Sequence, residues 1–407
     1  MQAGESMPLS LLENLQVVLK ISERCNLKCS YCYFFFGGDE SWKRHPVSIE
    51  LKTVEHVAAY LQQLALKYRL PKIELILHGG EPLLLPKDRF KKLLQVFRQH
   101  ETSAFRFDFS LQTNAVLIDD EWIELFSEFN ILIGVSLDGA KEINDLHRID
   151  THGRSSYDDT VSGLRKLQAA AREGRIHYPG LICVVNPQAD GTKTYRHFVD
   201  ELAAQDISFR IPIYTHDNNI AANDIEHINR FMRDALVQWL QDDNPAIAVR
   251  EFQRPLNAMI RDDAAEFTAE FGEDYRNIVG ISSNGDVGPE DGVRTAHPRF
   301  AESALNVRNS AFNELTSTAI WEEMRDAAAK APEVCGTCKW WRICKGGPLV
   351  TRFSNAKGFN NPSIYCEGLK ERYAMIAKAL EDTGVPDETI FRRLQGHNTQ
   401  TETAVYG

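Results

Sequence analysis

The chain alternates between short apolar runs and longer stretches whose apolar residues recur every three or four positions. Residues 15–21 read as a buried strand, and a helical pattern follows over 48–68 with Val54, Val57, Ala58, Leu61 and Leu64 on one face. Residues 72–77 form a second strand, which ends on the turn His78-Gly79-Gly80-Glu81-Pro82. The same rhythm predicts helices over 88–98, 120–128, 157–172 and 194–204. Between them it predicts strands at 105–111, 131–137, 180–185 and 208–214. Strands separated by helices imply a parallel sheet with right-handed crossovers. The distinctive loops follow strand C-terminal ends, where a (β/α) barrel carries its site. The expected fold class is therefore α/β, a partial (β/α)6 barrel over residues 12–225.

Past residue 225 the rhythm changes. A bridging region, 226–330, opens with a helix over 225–241 and holds a short hairpin around Ser283-Asn284-Gly285. Its last part, 312–330, reads as a helix. Residues 331–385 carry loops rich in Trp, Gly, Pro and Asn and then a helix over 367–382, and 386–407 reads as a C-terminal tail with a polar end from His397.

Composition narrows the classes. At 43% hydrophobic and 25% charged residues in 407, this is an ordinary globular chain. Its apolar runs fall far short of the roughly 20 residues of a membrane span, and the first residues lack the plan of a signal peptide. A cytoplasmic protein without a membrane segment is expected. The net charge of −11, from 46 Lys and Arg against 57 Asp and Glu, argues against a nucleic-acid partner.

The cysteines carry the chemistry. Seven of the eight fall into two tight groups, Cys25, Cys29 and Cys32, then Cys335, Cys338, Cys344 and Cys366. Such clustering in a large chain points to metal rather than a disulfide framework. Cys25-Asn26-Leu27-Lys28-Cys29-Ser30-Tyr31-Cys32 follows the first strand directly. Three thiolates can hold three irons of a four-iron cluster and leave the fourth open, or they can bind zinc with a nearby fourth ligand such as His45. The spacing alone leaves both open.

This loop, followed at successive strand ends by Gly79-Gly80-Glu81-Pro82, Thr113-Asn114 and Ser136-Leu137-Asp138-Gly139, resembles the radical S-adenosylmethionine (SAM) superfamily. The resemblance implies a [4Fe–4S] cluster on Cys25, Cys29 and Cys32 whose open iron is chelated by SAM. It also implies cleavage of SAM to a 5′-deoxyadenosyl radical that abstracts a substrate hydrogen. By similarity, Gly79, Gly80 and Glu81 would meet the SAM amino group, Ser136 and Arg148 its ribose or carboxylate, and Asn114 a polar edge. Tyr31 would pack near the adenine.

The second group, C-x2-C-x5-C with a distant fourth cysteine, suits either a four-iron cluster or a structural zinc. It resembles the SPASM-type iron–sulfur extension of radical SAM peptide-modifying enzymes, which implies an auxiliary [4Fe–4S] cluster on Cys335, Cys338, Cys344 and Cys366. The cysteines that serve a second auxiliary cluster in that family are missing, with Glu290 and Pro348 at two of their positions. Two clusters are therefore expected in all. Asp291 stands where sulfatase-maturing relatives carry a catalytic base. Cys183, in the fifth strand, reads as a small buried hydrophobe or, alternatively, as a thiol hydrogen donor.

The expected function is that of a radical SAM maturase acting on a ribosomally synthesised precursor peptide. The single-auxiliary-cluster pattern and the segment Tyr33-Phe34-Phe35-Phe36-Gly37-Gly38-Asp39-Glu40-Ser41-Trp42 most resemble enzymes that build three-residue cyclophanes, joining an aromatic ring carbon to a Cβ. Formylglycine formation of the sulfatase-maturing type and peptide epimerisation are the enzymatic alternatives. A partner-binding iron–sulfur or zinc protein is the non-enzymatic one. A reducing donor such as flavodoxin or ferredoxin is implied. Leader binding by strand addition at the sheet edge is a further expectation.

Overall fold

A computed structural model describes residues 15–260, 278–301, 305–311, 314 and 317–395. Its centre is a nine-stranded sheet in the order β7-β6-β5-β4-β3-β2-β1-β8-β9. The six expected strands are β1 (Gln16–Ser22), β2 (Lys72–Gly79), β3 (Arg106–Thr113), β4 (Leu132–Ser136), β5 (Gly180–Val184) and β6 (Asp206–Arg210). They lie side by side in chain order, every pair parallel. The last strand stops at Arg210, before the expected 214, because Pro212 cannot donate to a ladder.

Helices Leu51–Tyr68, Lys87–Gln99, Asp120–Phe129 and Tyr157–Arg172 fall where the 3.6-residue period places them. The crossover expected over 194–204 is a short α-helix, Gly191–Arg196, continued by a π-helical turn at His197–Glu201.

β7 (Ala248–Val249) extends one side of the sheet. The expected hairpin extends the other: β8 (Ile278–Ile281) runs parallel to β1 and antiparallel to β9 (Val287–Pro289), turning at Gly285 with φ +90°. Among the described residues neither margin offers a long free edge for leader addition. β7 has two residues, and the outer side of β9 is bonded to the segment around Leu305 and Val307.

One correction concerns the end of the chain. Residues 387–395, expected within the C-terminal tail, form a helix, Asp387–Gln395, that buries Ile390 and Leu394 against the main core. Two apolar residues one turn apart suffice for this because Arg393 also bonds the Met259 carbonyl at 3.0 Å. The remainder of the tail and the start of the helix expected at 312 lie outside the described residues. Among the described residues no helix is long and apolar enough to cross a membrane.

Candidate active site

The first cysteine loop leaves β1 and is tied down by backbone bonds from three directions. Gly80 N donates to Ser22 O at 2.8 Å, and Glu81 N to Arg24 O at 2.7 Å. Lys28 N donates to Ile149 O at 2.7 Å, and Glu23 N to Val47 O at 2.8 Å. Both glycines of the β2 turn serve this contact. A Cβ on Gly79 would fall 2.0 Å from Ser22 O, and one on Gly80 2.2 Å from Arg24 O. The close approach they permit is thus between two protein loops.

Glu81, 1% exposed, braces the next loop. Its carboxylate accepts from Thr113 Oγ1 at 2.7 Å, Asn114 N at 2.9 Å and Leu83 N at 3.1 Å. Burial nonetheless lifts its carboxyl above the ordinary range, against those bonds. Asn114 reaches back, donating from Nδ2 to Asn26 Oδ1 at 2.8 Å, with Cys25 Sγ at 3.9 Å.

On the far side of the thiols, Tyr31 Oη donates to Asp138 and accepts from Arg148 Nη1 at 3.0 Å. Asp138 also accepts from Val184 N at 3.0 Å, so this carboxylate organises the turn after β4. Arg148 is buried, and its Nε has no hydrogen-bond partner. A buried guanidinium N–H left open beside the thiols awaits an acceptor, as the carboxylate of SAM would be. Ser136 Oγ accepts from Gln112 Nε2 at 3.3 Å on the same face of the sheet.

The thiols fit a metal cluster in their chemistry. Burial pushes Cys25 up to about 12 and raises Cys29 and Cys32; Cys25 also feels the charge of the other two thiols, and Cys29 that of Cys32. Such thiols become thiolates when a cation replaces their protons. Around the second group, Cys335, Cys338, Cys344 and Cys366 line one small pocket with Trp340, Trp341 and Lys370. Among the described residues no three Cys, His, Asp or Glu side chains are drawn together as tightly as a single ion would require. His45 turns its ring to carboxylates instead, Glu23 at 3.3 Å and Asp286 at 3.7 Å.

Asp291 opens the helix Asp291–Ala296, capped by Glu290, which accepts from Gly292 N and Val293 N. It is 5% exposed and within electrostatic reach of Cys32, Tyr33 and His78. Burial works to raise its carboxyl, but Lys20, Arg294 and His78 prevail and hold it below the ordinary range. The helix is fixed in turn by Arg294, whose Nε bonds Asp39 Oδ2 at 2.9 Å and whose Nη2 bonds Ser41 Oγ at 3.0 Å. Cys183 lies elsewhere. Ile182 meets Gly134 on the Ser136 face, so alternation turns Cys183 to the opposite, fully buried core face.

The Radical SAM superfamily matches residues 19–186, the segment that contains the first thiol loop, Glu81, Asn114, Ser136 and Arg148. Residues 19–186 are the domain of a radical SAM enzyme. The likeness extends beyond that domain. The cysteine-type anaerobic sulfatase-maturating enzyme of Clostridium perfringens is 27% identical over 372 residues, 89% of this chain and 95% of the relative. The serine-type anaerobic sulfatase-maturating enzyme of Bacteroides thetaiotaomicron is 30% identical over 155 residues, 38% of this chain and 36% of the relative. Among solved structures, native anSMEcpe with bound AdoMet and the Cp18Cys peptide superposes with a TM-score of 0.75 at 23% identity, covering 91% of this chain and 98% of that one. The likeness of fold to that structure therefore extends well past residue 186.

Sequence reasoning missed the polar row inside this domain, formed by Lys20, His78 and Gln112 beside Ser136. A lysine inside the apolar run 15–21 was its one visible sign.

Proposed function

We propose that this radical SAM enzyme is a peptide maturase that oxidises a side chain at Cβ, in the manner of anaerobic sulfatase maturation. The observation that carries the reading is a juxtaposition: the buried Asp291 carboxylate stands within electrostatic reach of the three-thiol loop. End-to-end likeness to a cysteine-type sulfatase-maturating enzyme supports it.

Cys25, Cys29 and Cys32 would hold the SAM-binding [4Fe–4S] cluster, and Cys335, Cys338, Cys344 and Cys366 the auxiliary one. Arg148, with its open Nε, would take the SAM carboxylate, while Ser136, Asn114 and the Gly79-Gly80-Glu81 turn border the same space. When bound, these groups supply a carbon radical able to take a hydrogen atom from an unactivated C–H bond. Asp291 would accept the proton that leaves as the substrate is oxidised. Tyr31 and Asp138 hold Arg148, and Glu81 holds the Asn114 loop, so the chamber is set before substrate arrives. A one-electron reductant is required; flavodoxin or ferredoxin would serve.

A second reading, the three-residue cyclophane crosslink on a ribosomally made precursor, is favoured by one feature. Glu290 and Pro348 stand where the family places cysteines of a second auxiliary cluster, which leaves four thiols in the second group. Mass spectrometry separates the two. The purified, reduced enzyme is given SAM and a cysteine peptide such as Cp18Cys, or is co-expressed with a short peptide encoded beside its gene. A cysteine converted to formylglycine loses its sulfur and reacts with a hydrazide probe. A crosslink loses two hydrogens, keeps any sulfur and leaves an aromatic residue joined to a near neighbour. SAM cleavage with neither product, but solvent deuterium at one α-carbon, would move the assignment to epimerisation.

A further inference from the structure

β1 is an apolar strand with one lysine in it. Lys20 lies between Leu19 and Ile21, both fully buried in the core, and alternation turns it to the opposite face. Its side chain is only 3% exposed, with Nζ 2.6 Å from Asp291 Oδ1 and 4.6 Å from the centre of the Phe34 ring. In register beside it on β2 is His78, whose Nδ1 has no hydrogen-bond partner. His78 interacts with Gln112, which donates to Ser136. Four neighbouring strands thus bear one polar row, running from Asp291 to the expected SAM contact.

Burying an ammonium is costly unless a counterion is fixed in place, and an apolar residue in this strand would serve the fold at least as well. The counterion here is fixed. The Asp291 helix is clamped twice, by Lys20 from the sheet and by the Arg294–Asp39 pair, 2.8 Å apart, from the loop that follows the cysteines. The clamp holds the carboxylate over the thiol loop and cancels its charge.

We infer that Lys20 is a positioning residue of the reaction: it fixes the Asp291 carboxylate as proton acceptor and leaves the chamber charge-balanced for an uncharged reacting side chain. This rests on the reading of Asp291 as the base. Arg294 and His78 also act on Asp291, but Arg294 is paired with Asp39, and Lys20 is the cation in direct contact with the carboxylate.

The test joins two readouts on Lys20→Met, Lys20→Arg, Asp291→Asn and the Lys20→Met/Asp291→Asn double variant. In the cluster-loaded enzyme, product formed from Cp18Cys is measured per SAM cleaved. Lys20→Met should lower that ratio by about tenfold or more, with SAM cleavage itself within about twofold, and Lys20→Arg should recover much of it. In the cluster-free protein, thermal unfolding should show the two single substitutions coupled, the double variant being more stable than Lys20→Met alone. An unchanged product ratio in Lys20→Met, or additive single effects on unfolding, would overturn the inference. If Asp291→Asn makes product at the wild-type ratio, the base reading falls by itself, whatever Lys20 does. If wild type does not turn over Cp18Cys, the formylglycine reading loses support while the unfolding cycle still decides whether the pair exists.

Discussion

The two cysteine regions are built on opposite principles. The first loop is held by backbone bonds to distant segments: Ser22 and Arg24 to the β2 turn, Glu23 to Val47, Lys28 to Ile149. The second is held largely by its own neighbours, Cys338 N to Cys335 O, Cys344 N to Trp340 O, Gly347 N to Cys344 O and Cys366 N to Ser363 O. Arg352, 2% exposed, gathers the carbonyls of Ala327, Lys345, Phe359 and Asn361. Tyr365 Oη on Pro212 O and His216 N on Phe353 O, both at 2.9 Å, tie the region to the barrel together with the core residues Trp340, Ile343 and Leu369. A small separate apolar cluster, including Phe300, Met324, Phe353 and Phe359, packs beside it. The scaffold therefore fixes the first loop by backbone bonds from several segments, whereas the turns that carry Cys335, Cys338 and Cys344 are closed by local bonds, and a bound ligand set should add most to stability there.

The largest expected effect breaks the two regions apart. Replacing Cys25, Cys29 and Cys32 by Ala should abolish SAM cleavage yet shift the unfolding midpoint by no more than about 3 °C, because the sheet still holds the loop. Replacing Cys335, Cys338, Cys344 and Cys366 should instead open the 331–366 segment to protease while residues 15–210 stay resistant. Equal protease sensitivity in both variants would erase the distinction. Next in size, Arg352→Leu strips a charged donor from four carbonyls, that of Phe359 buried. It should cost about 3 kcal/mol or more, seen as an early separate step in urea unfolding. A smaller and purely local effect is expected of Arg148→Met. SAM binding, followed by equilibrium dialysis, should weaken about tenfold with the unfolding midpoint little changed, and unaltered binding would remove Arg148 from the SAM site.

The comparison also explains what could be read from residues alone. The six parallel strands were legible because each is a short apolar run or, as in β3, alternates apolar and polar positions, and the loops that matter follow their C-terminal ends. The thiol groups were legible from spacing. The inward row of Lys20, His78, Gln112 and Ser136 was not, since a polar residue in a buried strand has no meaning until its face is known. Cys183 needed the same knowledge, with the opposite outcome. Glu81 reads as a ligand from its motif, yet much of its bonding capacity goes to Thr113, Asn114 and Leu83, contacts made across 32 and 33 residues as well as two. Asp387–Gln395 was missed because its apolar content is too small to show a period.

The seam between the two regions gives the smallest effect and the sharpest sign. Glu290 caps the Asp291 helix, and its carboxyl is pushed up from 4.5 to about 7 by burial, which the N–H groups of Gly292 and Val293 only partly offset. An unfolded chain would release that proton near 4.5, while the folded one keeps it to about 7. Between those values the folded state holds more protons, so this group's contribution makes stability fall as pH rises and then level off. Asp291 is shifted the other way and acts only below its ordinary 3.8, outside that window. Thermal unfolding from pH 5 to pH 8 should therefore show a decline in wild type that Glu290→Gln, which keeps the capping oxygen, reduces. An identical slope in the variant would mean that Glu290 is ionised throughout and that the helix carrying Asp291 starts on two adjacent charges, with Lys20 left to balance both.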